Sequence, residues 1–206
     1  RMVGPTDLLT GWDLLQQRCQ DQLISELPRW RPHLCVIAFP CTPWSRMQNM
    51  NRNNAAQEAR YQENLGKARR LLRFITKVIK LLVAEGCVVI LENPLTSKAW
   101  EEFGPRWNRL GLVSCVVDMC QFNKTTPEGV LLRKPTKLMG PLDVMEALAR
   151  RCEGGHEHAV IEGSVRCPDG KRRNLSEWAG GYSHQFAGEL LYEVASAAHD
   201  RFAGHR

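Results

Sequence analysis

Leu34-Cys35-Val36-Ile37-Ala38-Phe39-Pro40-Cys41-Thr42-Pro43-Trp44-Ser45 is an apolar run that breaks into a polar tip punctuated by prolines. Val88-Val89-Ile90-Leu91-Glu92-Asn93-Pro94 follows the same plan. Short continuous apolar runs bounded by turn residues read as buried strands. Between the two, Leu65, Ala68, Leu72, Ile75, Val78, Ile79 and Leu82 recur at helical spacing and stop near Gly86, the pattern of an amphipathic helix. Strand, helix, strand in that order predicts an α/β fold with a parallel, helix-covered sheet. Ligands of such sheets collect outside the carboxyl ends of the strands. The Cys41 thiol and the Glu92 carboxylate, each at a strand tip, are therefore the first candidates for a shared site.

Working outward, Leu14, Leu15, Cys19, Leu23, Ile24 and Leu27 mark a helix behind Asp13 as N-cap, ended by Pro28 and Pro32. The polar stretch from Arg46 to Ala56, with Asn49, Asn51, Asn53 and Asn54, has no periodic apolar face and reads as a mobile loop. Lys98 to Phe103 begins a further helix, and Leu112 to Val117 is a third strand. The stretch from Met119 to Leu138 has strand and turn character, Leu142 to Arg151 reads as helical, and Gln185 to Phe202 forms a closing helix. A length of 206 residues suits one α/β domain with a small appendage. We expect a core over 1–140, a small insert over 141–183 and a closing helix over 184–206.

The net charge of +6 and pI near 9.0 are compatible with a polyanionic partner, with local clusters at Arg69-Arg70, Arg150-Arg151 and Lys171-Arg172-Arg173. Eight cysteines in a large, core-rich chain read as reduced thiols, and Cys35, Cys87 and Cys115 fall in apolar runs where a thiol acts as a small hydrophobe. No apolar stretch approaches the ~20 residues of a membrane-spanning helix, so a soluble intracellular protein is expected, nuclear if its partner is DNA. Cys152-x3-His156-x-His158, joined by Cys120 or Cys167, supplies enough soft ligands for a tetrahedral zinc ion that would staple the insert. The spacing departs from common zinc-finger signatures, and histidines alternating along a strand would face opposite ways. A surface loop with solvated histidines is the plainer reading.

The Pro40-Cys41 tip and the Glu92-Asn93-Pro94 tip resemble the two catalytic motifs of DNA cytosine-5 methyltransferases, Pro-Cys and Glu-Asn-Val. Asp7-Leu8-Leu9-Thr10-Gly11-Trp12-Asp13, Phe39 to Ser45, Glu92-Asn93-Pro94 and Arg133-Lys134-Pro135-Thr136-Lys137, in this order, look like the methyltransferase-like segments of dinoflagellate retroelement polyproteins and related viral enzymes. The resemblance implies a Rossmann-like methyltransferase sheet that lacks or modifies its first strand.

It also implies a chemistry. Carbon 5 of cytosine is a weak nucleophile until a thiolate adds at carbon 6, so Cys41 would be the nucleophile. Glu92 would hydrogen-bond the base at its ring nitrogen and exocyclic amine. Arg133 would hold the carbonyl oxygen of the base. Trp44 and Ser45 would shape the base pocket, and Asn93 would order the Glu92 loop. The base must leave the duplex, with the Arg46 to Asn54 loop closing over it. Taken singly, Cys41 reads more simply as an inert loop thiol and Glu92 as a helix-capping carboxylate; it is the two together at strand tips, in family order, that favour the functional reading.

The implied methyl donor is S-adenosylmethionine, with Asp7, Asp13 and Pro40 as its expected contacts. The glycine-rich turn that receives the donor in that family is absent from these 206 residues. Two other functions compete. One is a catalytically idle nucleic-acid-binding module of a mobile element. The other is an amino-group methyltransferase gripping an exocyclic amine through Thr42-Pro43-Trp44. RNA is an alternative substrate, because nothing in the sequence reads a 2′-hydroxyl.

Overall fold

The computed structural model describes residues 4–203, with the side chains of 49–51 and of 198 onward outside the description. The Asn49 and Asn51 side chains of the expected loop thus lie outside the described residues. The chain parts into two units, Arg1–Leu112 and Val113–Arg206.

In the first unit, α1 spans Gln17–Trp30. Asp13 closes the turn ahead of it, accepting from Leu15 N at 3.0 Å and from Gln16 Nε2 at 2.8 Å, and is not its N-cap. Pro28 lies inside the last turn, where it removes the donor that Ile24 O would otherwise meet yet does not end the helix. The stop comes at Arg31, in a left-handed conformation with φ of 44°, whose N–H bonds Leu27 O at 3.0 Å.

β1 (Leu34–Ala38) runs parallel to β2 (Val88–Pro94), with Leu34 opposite Val88 and Ala38 opposite Glu92. β2 is buried from Val88 through Asn93, but β1 is not the fully buried strand expected, since Val36 is 40% exposed and Ala38 is exposed. The expected loop after Ser45 is instead a 3-10 turn, Arg46–Asn51, followed by α2 over Ala55–Ala84. Polar caps organise it: Ser45 Oγ accepts from Met47 N at 3.2 Å, and Asn54 Oδ1 accepts from Gln57 N at 2.9 Å. The apolar stripe read from the sequence is the buried face of α2, with Tyr61 and Phe74 added to it. At about 1.5–3 kcal/mol for each large aliphatic side chain removed from water, that face holds the long helix better than its propensity could. Gly86, with φ of 76°, turns the chain into β2 in a conformation that a Cβ would oppose.

In the second unit, β3 (Val113–Asp118) pairs with β4 (Pro135–Gly140), and the pairing is antiparallel, with Val113 opposite Gly140 and Asp118 opposite Pro135. This corrects the expectation of purely parallel strands. A parallel return needs a crossover, usually helical. Here the connection is only a 3-10 turn, Met119–Phe122, and a tight loop closed by a bridge between Thr125 and Leu131. Doubly wound folds commonly carry such an antiparallel member.

α4 (Leu142–Leu148) packs on β3 and on the long α6 (His184–Ala203). The residues expected as an insert contain a small hairpin, β5 (Ser164–Arg166) with β6 (Arg172–Asn174), and then α5 (Leu175–Gly180). Leu132, Leu175 and Ala179 form their core, flanked by Ala159, Ile161, Val165 and Trp178. The protein is thus α/β with mixed strand pairing.

Candidate functional site

The carboxyl ends of β1 and β2 lie side by side because their register places Ala38 opposite Glu92. One residue farther on, Asn93 Nδ2 donates to Phe39 O at 2.6 Å, latching the two tips together where both residues are buried. The latch fixes the start of Pro40-Cys41. Cys41 then opens a 3-10 turn, Thr42–Trp44, with Trp44 N donating to Cys41 O at 3.0 Å. Lys98 N donates to Trp44 O at 3.0 Å, so the turn is held from the start of α3 (Ala99–Asn108) as well.

An aromatic cluster supports the tip from below. Phe39 meets Trp100 at 5.6 Å and Trp107 at 5.8 Å between ring centroids, and Trp44 meets Phe103 edge-on at 5.9 Å. Each such pair adds about 0.5–1.5 kcal/mol beyond area burial. The indole N–H groups are not left bare: Trp100 donates to Pro94 O at 2.9 Å and Trp107 to Thr76 Oγ1 at 3.0 Å. Sequence reasoning missed Trp100, Phe103 and Trp107, although their i, i+3, i+7 spacing is the signal of a buried helix face.

Thiol chemistry separates the cysteines of this unit. Burial pushes Cys35 up to about 11 and Cys87 up to about 12, so both stay protonated near neutral pH. Cys41 is exposed at the tip, where a thiol has the access that a core cysteine lacks. Glu92, only 7% exposed, is the carboxylate at the neighbouring tip. Beside Pro40 opens a cleft of about 220 Å³ walled by Phe39, Trp44, Tyr61, Asn64 and Leu72. Trp44 is mostly a core residue and contributes one wall of this cleft, and Ser45 acts as the cap described above.

The other expected site residues have local partners. Asp7 Oδ1 accepts from Leu9 N at 2.7 Å and Thr10 N at 3.2 Å, closing the turn Leu8–Thr10, as Asp13 closes its own. Both carboxylates thus cap their own turns. In the second unit Arg133 Nε lies 3.5 Å from Asp118 Oδ1. Each basic cluster has members engaged with carboxylates, Arg69 with Glu102, Arg150 with Glu189, Arg151 with Asp118 and Arg173 with Asp169.

A second constellation lies in that unit. Ligand atoms of Cys120, Cys152, His156 and His158 all fall within 4.8 Å of one another. Of the two cysteines that could have completed this set, the structure selects Cys120. Cys167 is buried in the β5–β6 turn, its N–H bonded to Lys171 O at 2.8 Å. The histidines lie on irregular chain, not on a strand, which is why both reach Cys152.

No protein-family profile, curated protein or solved structure gives a significant match to this chain. Among the described residues no helix is long and apolar enough to cross a membrane.

The Asn93 latch has a measurable weight. Asn93→Ala leaves the Phe39 carbonyl without its donor in a buried setting, a loss of about 1–3 kcal/mol. Urea unfolding should show it, and a change below about 0.5 kcal/mol would mean that the tips hold together without the amide.

Proposed function

We propose that this chain carries the base-activating machinery of a cytosine-5 methyltransferase acting on nucleic acid. The observation that supports the reading is the latched pair of strand tips, which sets the accessible Cys41 thiol at the same sheet end as the Glu92 carboxylate.

In this reading a cytosine flipped out of its stack meets the tip. The Cys41 thiolate adds to carbon 6, and the electron pair of the 5,6 double bond moves into the ring, making carbon 5 nucleophilic. Glu92 hydrogen-bonds the ring nitrogen and exocyclic amine as charge develops there. S-adenosylmethionine, the donor implied by the resemblance, supplies an electrophilic methyl group when bound. β-Elimination then completes the cycle: the carbon-5 proton passes to solvent, the carbon 6–sulfur bond breaks, and the 5,6 double bond and the Cys41 thiolate are restored.

The test needs no donor. In heavy water the carbon-5 position of the adduct takes up a deuteron, so elimination returns cytosine with its carbon-5 hydrogen exchanged. Mass spectrometry of cytosine-containing DNA and RNA oligonucleotides incubated with the chain reads this directly, and the two arms identify the polymer. Exchange should occur, and Glu92→Gln should slow it about 10²–10⁴-fold, the range for a positioned acid–base group, while the fold persists. No exchange in either polymer by the folded chain would overturn the proposal. That outcome would favour the idle binding module, a reading supported by the capping roles of Asp7 and Asp13.

A further inference from the structure

Cys152 Sγ lies 3.5 Å from His156 Nε2 and 3.6 Å from His158 Nε2. A tetrahedral zinc ion with Zn–S of about 2.3 Å and Zn–N of about 2.0–2.1 Å has sulfur-to-nitrogen edges of about 3.6 Å. The observed separations are those of two edges of such a tetrahedron, and Cys120 completes a compact four-atom set.

The backbone around the cluster explains how a sequence with unusual spacing reaches this geometry. Gly154 and Gly155, with φ of 92° and 81°, make two successive left-handed steps between Cys152 and His156. Residues with a Cβ adopt that conformation at a cost, and the reversal returns the chain so that His156 and His158 converge on the Cys152 sulfur. Gly154 N approaches that sulfur at 3.4 Å, a donor aimed at the atom that would carry thiolate charge.

Buried Asp118 anchors the same residue from the end of β3: its Oδ2 accepts from Cys152 N at 2.9 Å and from Arg151 Nε at 2.9 Å. Cys120 comes from the turn immediately after Asp118, so one end of β3 positions both sulfurs. Orientation of ligands by outer partners of this kind is a regular property of metal sites. The chain from Ala149 to Gly163 carries no helix or strand. Its ends are tied by Asp118 N to Arg150 O and Leu175 N to Gly163 O, and Ala159 and Ile161 pack on the Leu132 core, while the 152–158 turn between them converges on the Cys152 sulfur.

We propose that Cys120, Cys152, His156 and His158 bind one zinc ion that staples the irregular segment 149–163 to the end of β3. Four protein ligands leave no open position, so the site is structural and not catalytic. Binding free energy at such a site is folding free energy, and the second unit depends on it. Nothing in this inference depends on the methyl-transfer reading.

The test uses the full chain, purified under reducing conditions, stripped of metal and titrated with cobalt(II) and then zinc(II). One equivalent of cobalt(II) should give the intense visible bands of a tetrahedral ion together with a thiolate-to-metal band in the near ultraviolet. Zinc(II) should bleach both and raise the thermal midpoint. Cys152→Ser should weaken cobalt binding and cut the thiolate band by at least about half, since Cys120 alone remains, and the Cys120→Ser, Cys152→Ser double variant should lose it, whereas Cys167→Ser and Cys41→Ser should keep it in full. A stripped wild-type chain with free thiols that shows no tetrahedral cobalt spectrum would overturn the proposal, and so would a Cys120–Cys152 disulfide found in the freshly isolated protein by mass spectrometry. Because the wild-type titration decides by itself, a variant that fails to fold does not rescue the idea.

Discussion

Cys41→Ser should lower carbon-5 hydrogen exchange of cytosine by at least about a thousandfold, the scale on which loss of a covalent nucleophile is felt. Serine keeps the size and the hydrogen-bonding capacity of the side chain, but its hydroxyl does not ionise near neutral pH, so no adduct forms at carbon 6. Stability should not follow activity. Cys41 is exposed, and exposed substitutions away from caps and cores usually stay within about 0.5 kcal/mol. This pairing of a large kinetic loss with an unchanged unfolding midpoint separates a nucleophile from a structural thiol. Read instead by methyl transfer with the donor supplied, the same variant separates carbon methylation from amine methylation, because an enzyme gripping an exocyclic amine through Thr42-Pro43-Trp44 has no need of the thiol. Exchange that survives in the serine variant would remove Cys41 from the chemistry.

The largest effect on stability should come from Trp107→Ala. Trp107 is fully buried, lies 5.8 Å from both Phe39 and Trp100 and 5.9 Å from Phe103 between centroids, and donates its indole N–H to Thr76. Truncation removes an aromatic ring from the middle of a cluster that cannot collapse onto the void, a loss of about 3–5 kcal/mol. For a chain of this size that corresponds to a fall of roughly 10 °C in the thermal midpoint. The consequence extends to the site, because Phe39 carries the carbonyl that Asn93 holds. Trp107→Phe keeps a ring in place and loses the indole hydrogen bond, so it should cost about 1–2 kcal/mol. An alanine variant within about 1 kcal/mol of the wild type would mean that the cluster is not what supports the strand tips.

Much of this architecture is legible one residue at a time. The α2 stripe, the two strand tips and the closing helix follow from periodicity, because burial of one face imposes a repeat of 3.6 or 2 on the chain. Cys152, His156 and His158, with Cys120 or Cys167 as the fourth member, were nameable because few other residue types bind a soft metal. Other features were not readable in this way. Asp13 and Asp7 carry the residue type of a ligand-binding carboxylate, yet in space each closes its own turn. Arg133 and Arg151 look like free cations in sequence and are both drawn to the fully buried Asp118.

The sequence by itself determined where the main strands and helices fall, that two of the strands end in a thiol and a carboxylate, and which thiols and imidazoles are available for a metal. Tertiary structure alone decided that β4 returns antiparallel to β3, that Asn93 latches Phe39, and that Cys120 and not Cys167 joins the histidines. The reason is physical. Periodicity records how a segment meets water, a one-dimensional property of the chain, whereas pairing direction, hydrogen-bond partners and ligand convergence depend on which distant residues arrive at the same point.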